Sequence, residues 1–126
     1  MERQSKPKPE VALRRGDVVL VPFPFTDLST EKLRPAVIIY VNPQKTDVII
    51  AFISSVVSAA ELSETDYPLS KDNPDFARTG LKKGSVFRMR KLLTMERSKI
   101  TRRLGRVNPA IQKELNTRLS RPVGLQ

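Results

Sequence analysis

The sequence contains no cysteine and no histidine. The first absence excludes disulfides, thiolate nucleophiles and zinc or iron-sulfur sites held by thiolates. The second removes the commonest general acid/base, the Ser-His triads and most transition-metal sites. Any enzyme of this composition must work with Arg, Lys, Asp, Glu, Ser, Thr or Tyr, and neither a metal nor another cofactor is expected. Long apolar runs are missing too: none approaches the ~20 residues that span a bilayer. The polar opening Met1-Glu2-Arg3-Gln4-Ser5-Lys6 lacks the apolar stretch of a signal peptide. The expectation is a cytoplasmic protein that does not engage a membrane.

Acidic residues are scarce relative to basic ones, 13 against 23, for a net charge of +10. Such an excess attracts polyanions. Its distribution is uneven, since residues 82–106 hold ten basic side chains and one acidic. A face kept charged only for solubility would mix the signs. With 126 residues, 39% hydrophobic and 29% charged, the chain has the material for one folded core and too little for two. The expected organisation is a flexible basic arm over 1–13, a single domain over 14–122 and a tail over 123–126.

Val18-Val19-Leu20-Val21 is a β-branched run stopped by Pro22 and Pro24, which cannot donate to a ladder. A loop follows from Phe23 to Lys32. Pro35 to Val41 and Asp47 to Ile53 are near-continuous apolar runs joined by the turn-rich Asn42-Pro43-Gln44-Lys45-Thr46. Their length and branching predict a buried antiparallel hairpin. Ser54 to Ser63 is either loop or a weak helical turn, Thr65 to Leu69 a short extended piece, and Lys71 to Lys83 a loop. From Ser85 to Met95 apolar and basic residues partly alternate. A period of two puts Val86, Arg88 and Arg90 on one face and Phe87, Met89 and Lys91 on the other. Ser98-Lys99-Ile100 reads as a further short strand. Asn108-Pro109 is a helix start, an Asn cap with Pro at the first helical position, and Ile111, Leu115 and Leu119 form one stripe. Many short strands with one final helix predict a mainly β (α+β) fold, a small, strongly bent antiparallel barrel.

Three segments, in order, carry a family resemblance: Arg15-Gly16-Asp17-Val18-Val19-Leu20-Val21, Arg34-Pro35-Ala36-Val37-Ile38-Ile39 and Ile50-Ala51-Phe52-Ile53-Ser54. Together they resemble the amino-terminal half of the MazF/PemK toxins, and Pro22-Phe23-Pro24-Phe25-Thr26-Asp27-Leu28 resembles a PemK-like branch. Gly-Asp and Arg-Pro are weak signals singly; their order, separation and flanking apolar runs are specific. The resemblance implies an SH3-like barrel, usually a homodimer, that cleaves single-stranded RNA without a metal and is neutralised by an acidic antitoxin protein. It also implies Arg34 as a principal catalytic residue, assisted by a hydroxyl at the end of the third strand. Family members usually carry Thr there; this chain has Ser54, followed by Ser55.

Those residue types suit the chemistry. Metal-free RNA cleavage uses the substrate's own 2′-OH, so the protein has to orient that hydroxyl and stabilise charge on a phosphorane-like transition state. An arginine fork donates two parallel charged hydrogen bonds to phosphate oxygens and stays protonated, which suits Arg34 to electrostatics rather than to proton abstraction. The structural alternative for Arg34 is an ion pair with Asp17 or Glu31, and for Ser54 a turn hydroxyl satisfied by backbone. Some relatives use an arginine and an acid in the strand after the second glycine turn. Arg88 matches the arginine, whereas Arg90 stands where the acid is expected. Arg88, Arg90 and Lys91 read as binders of the RNA backbone. Phe23, Phe25 and Tyr40 could stack on bases or serve as core and hairpin contacts. No general base is evident. The reading from another class is a non-catalytic SH3-like RNA-binding or ribosome-associated module; a third is a protein whose basic surface recognises an acidic partner.

Overall fold

A computed structural model of the protein describes residues 12–23, 32–44, 46–55 and 61–121. Among these residues six strands form one antiparallel sheet: β1 (Asp17–Pro22), β2 (Leu33–Val41), β3 (Asp47–Ser55), β4 (Asp66–Leu69), β5 (Ser85–Glu96) and β6 (Arg102–Arg106), followed by α1 (Pro109–Ser120). Their spatial order is β4-β5-β3-β2-β1-β6. The predicted mainly β architecture with a carboxy-terminal helix is observed, and the sheet curls into a partly open barrel. The loop from Phe23 to Lys32, the arm and the tail lie wholly or mostly outside the described residues, as do Phe25 and residues 56–60 of the Ser54–Ser63 segment.

The two apolar runs are continuous because both faces of the sheet are covered. On one face Val18, Val37, Ile39, Ala51, Ile53, Phe87 and Met89 pack with Ile111 and Leu115 of α1. On the other, Val19, Val21, Ala36, Ile38, Ile50 and Phe52 pack with Ile100. Leu119 completes the predicted helical stripe as a partly buried neighbour of the first cluster. The Asn108 side chain caps α1 by accepting from the Ile111 N–H at 2.8 Å. Pro109 follows in the first turn, where a missing N–H costs nothing.

The Gly16-Asp17 motif is structural. Gly16 has φ +94°, a conformation costly to a side chain, and that turn delivers Asp17 into the sheet. The fully buried Asp17 carboxylate pairs with Arg106 at 2.9 Å and Arg103 at 3.3 Å, both on β6. It also accepts the Arg14 N–H at 2.8 Å, so its charge is compensated from three directions. Between these two arginines on β6, Gly105 lies against the backbone of Arg78 and Thr79, and Gly80 against that of Leu104. A β-carbon at either position would collide with main chain, so these glycines let the turn after β4 close on the sheet edge.

One expectation is corrected. Ser98-Lys99-Ile100 is not a strand: Arg97–Lys99 form a 3₁₀ turn, and β6 begins only at Arg102. The turn docks on the β2–β3 hairpin, Arg97 N–H donating to the Thr46 carbonyl at 2.6 Å, and drops Ile100 into the second core. Burial of one isoleucine, without an alternating pattern, explains the apolar signal there.

Candidate functional site

The site lies where β5 leaves register with β3. Ala51 faces Leu92 and Ile53 faces Phe87, so the single residue Phe52 spans the four residues 88–91 on β5. Such an excess is a pronounced bulge, and bulges re-aim side chains. Here the alternation fails. Arg88, Arg90 and Lys91 all line one groove of about 330 Å³, together with Glu61, Ser63 and Asp66. Lys91, expected on the opposite face, joins the two arginines because the extra residues rotate the strand. The volume falls at the low end of small-ligand clefts, roughly 300–1,000 Å³.

Within the groove a chain of polar contacts runs through Arg88. Its Nε donates to Ser54 Oγ at 3.0 Å, and its Nη1 contacts Asp66 Oδ2 at 3.2 Å. β4 supplies the acid, because Asp66 pairs in register with Arg88. Asp66 is 5% exposed, and its Oδ2 also accepts the Ser63 N–H at 3.0 Å. The carboxylate is therefore fixed, and it fixes the guanidinium plane in turn. Ser54 Oγ can still donate, and does so weakly to the Ser55 carbonyl at 3.3 Å. Ser54 thus has both a backbone partner and a charged side chain as partner.

Arg34 enters from the neighbouring strand. The β2–β3 register pairs Ala36 with Phe52; continued by two residues within both strands, it brings Arg34 level with Ser54. The Arg34 guanidinium is exposed and sits over the Phe23 ring, 5.3 Å from its centroid. Phe23 packs edge-on against Phe52 at 5.2 Å. Asp17, one of the two proposed ion-pair partners of Arg34, is held by β6 instead, and Glu31 lies outside the described residues. A platform of Phe52 and Phe23 thus carries Arg34, within cation-π range. Tyr40 is exposed on β2, six residues along the strand from Arg34.

Beside Asp66, Tyr67 tilts against Phe87 at 6.2 Å and lies beneath the Arg118 guanidinium at 5.3 Å. Burial pushes its phenol above the ordinary tyrosine range, the Glu114 carboxylate adds to this, and Arg118 opposes it. Among the described residues no three acidic side chains converge as metal ligands would, and no helix is long and apolar enough to cross a membrane.

A family model described as PemK-like, MazF-like toxin of type II toxin-antitoxin system matches residues 14–122. The chain belongs to this toxin family. No curated protein sequence matches it. Among solved structures, an endoribonuclease from a mycobacterial species, in complex with its cognate antitoxin, is similar with a TM-score of 0.67 and 20% identity, covering 91% of this chain and 98% of that one. The Mycobacterium tuberculosis toxin MazF-mt6 is similar with a TM-score of 0.62 and 21% identity, over 82% of this chain and 91% of that one. At these identities the likeness establishes the toxin fold.

Of the residues singled out from sequence, the toxin fold brings Arg88, Arg90 and Lys91 to one groove, joins Ser54 to Arg88, and sets Arg34 on the strand next to that of Ser54. Asp66 and Glu61, the carboxylates of the groove, were missed. Asp66 offered one signal, an acid at the head of a predicted strand. Its link to Arg88 depends on a β4–β5 pairing that no local pattern encodes. No acid stands beside Arg90 on β5; the carboxylate paired with Arg88 is Asp66 of the adjacent strand.

Proposed function

We propose that this toxin-family chain is an endoribonuclease that cleaves single-stranded RNA by attack of the substrate's 2′-OH, without a metal. The observation that supports the reading is the Ser54–Arg88–Asp66 chain of contacts set in a basic groove. Arg34 and Arg88 offer guanidinium forks to the non-bridging phosphate oxygens, where negative charge builds up in the transition state. Ser54 orients the phosphate or the attacking hydroxyl, and Asp66 holds Arg88 in plane. Arg90 and Lys91 contact flanking phosphates, and Phe25 stacks on a base.

In the step itself the O2′–P bond forms as the P–O5′ bond breaks, the 2′-OH gives up its proton and the departing 5′ oxygen gains one. The products are a 2′,3′-cyclic phosphate and a 5′-OH. No electron transfer is involved, and the nucleophile comes from the substrate, so the route needs no metal-bound water.

The partner in this reading is an acidic antitoxin that folds along the same cationic groove and excludes RNA. Support comes from the similar mycobacterial endoribonuclease, solved with its cognate antitoxin. The working form is a cytoplasmic homodimer whose single domain spans 14–122, with Leu33, Tyr40 and Leu92 as exposed apolar side chains available to an interface.

A long single-stranded RNA incubated with the protein in EDTA tests the reading. Wild type is expected to cut and Arg34→Ala to cut far more slowly, leaving cyclic phosphate and 5′-OH ends. A 3′-OH product contradicts 2′-OH attack. RNA binding with no cleavage by wild type leaves the non-catalytic RNA-binding module.

A further inference from the structure

The end of α1 reaches the groove from behind. Arg118 Nη1 donates to the backbone carbonyl of Asp66, and one turn later Arg121 Nη1 donates to the carbonyl of Glu64 at 2.7 Å. Basic side chains at a helix carboxyl end ordinarily answer their own helix's dipole and free carbonyls. These two instead grip carbonyls two residues apart on another segment. Arg118 is steadied there by the Tyr67 ring and by Glu114, whose Oε1 is 3.7 Å from Nη2.

The gripped segment leads into β4, where Asp66 pairs with Arg88 of β5 and the Thr65 N–H donates to Ser63 Oγ at 3.3 Å. It is a tight turn in which Asp66 N–H donates to the Ser63 carbonyl and Ser63 N–H to the Asp66 carboxylate, both at 3.0 Å. β4 itself is only four residues long and forms one edge of the sheet. The position of the Asp66 carboxylate therefore depends on what holds its main chain.

We propose that Arg118 is a positioning residue for cleavage, acting through Asp66 on Arg88 and through Arg88 on Ser54, with Arg121 as its auxiliary. The proposal rests on the endoribonuclease reading. Arg118 lies outside the groove lining and touches no RNA; it fixes the height of Asp66, which sets the guanidinium that faces the phosphate. Loss of such a support lets the site drift by a fraction of an ångström, and misplacement near 1 Å costs up to about a hundredfold in rate.

Single-turnover cleavage of a short RNA separates the proposal from the reading beneath it. Wild type that does not cut overturns the reading. With wild type active, Arg118→Ala is expected to lower kcat at least tenfold with KM little changed, and Arg118→Lys, which can still donate to the carbonyl, to restore part of the loss. Circular dichroism and thermal melting establish that each variant is folded; should Arg118→Ala not fold, Arg118→Lys and Arg121→Ala carry the same comparison with smaller losses. The decisive measurement is a double-mutant cycle with Asp66→Asn. Once the carboxylate no longer fixes Arg88, removing Arg118 should cost little more. Folded Arg118 variants with wild-type kcat, or losses that multiply fully with Asp66→Asn, overturn the proposal.

Discussion

Arg88 carries two duties that only a guanidinium can combine. Its Nε serves the Ser54 hydroxyl while Nη1 serves the Asp66 carboxylate. A lysine keeps the charge but offers a point donor on a flexible stem. Arg88→Lys is therefore expected to bind RNA within a few-fold of wild type and to cleave it on the order of a hundredfold more slowly, because the loss falls on orientation in the transition state. Filter binding and single-turnover rates on one RNA check both halves; equal loss of affinity and rate would mean that Arg88 only binds. The contrast with Asp17 is instructive at the same scale. Both aspartates are buried and paired with arginine, yet both arginines on Asp17 come from β6, while the arginine on Asp66 lines the open groove. A sequence reader sees two acids near strand starts and cannot tell these environments apart.

At the scale of elements, the helix cap and the hairpin were readable because their signals are local. Asn108-Pro109 states a cap, and the Asn108 bond to Ile111 N–H makes it. Asn108→Ala should lower unfolding free energy by about 1 kcal/mol without altering the fold, measured by urea denaturation. The groove was harder to read, because β5 obeys its alternation only up to the bulge opposite Phe52. A period-two rule places Lys91 with Phe87 and Met89; the irregular register places it with Arg88 and Arg90. Nothing in a single strand's composition announces that its partner will skip residues. Docking of α1 on β4 has a pH signature as well. Because Tyr67 is harder to ionise when folded, the unfolded chain loses that proton first as pH rises. Its contribution is thus constant below pH about 10 and destabilising above it, where the unfolded state binds fewer protons. Tyr67→Phe should remove that part of the alkaline loss, seen as a shallower fall of melting temperature between pH 9 and pH 11 (about one unit either side of the ordinary value). An unchanged slope would place the alkaline transition elsewhere.

Across the whole molecule, the fold divides a cationic segment into parts with different tasks. Residues 82–106 hold ten basic side chains in sequence. In three dimensions Arg103 and Arg106 share the buried Asp17 carboxylate and Arg88 is engaged by Asp66, while Arg90 and Lys91 line the groove. Lys82 and Lys83 are exposed in the loop before β5 and do not line the groove. Net charge alone predicts that any two of these cations contribute equally to RNA affinity. The groove predicts otherwise, since only phosphates held beside a cation release counterions on binding. Replacing Arg90 and Lys91 together by Gln should flatten the plot of log affinity against log salt by about 1.4 for single-stranded RNA, roughly 0.7 per lost contact. Replacing Lys82 and Lys83 by Gln removes the same formal charge and should leave the slope unchanged. Equal flattening by both pairs would mean that RNA is held by diffuse positive charge, and the groove would then no longer be its path.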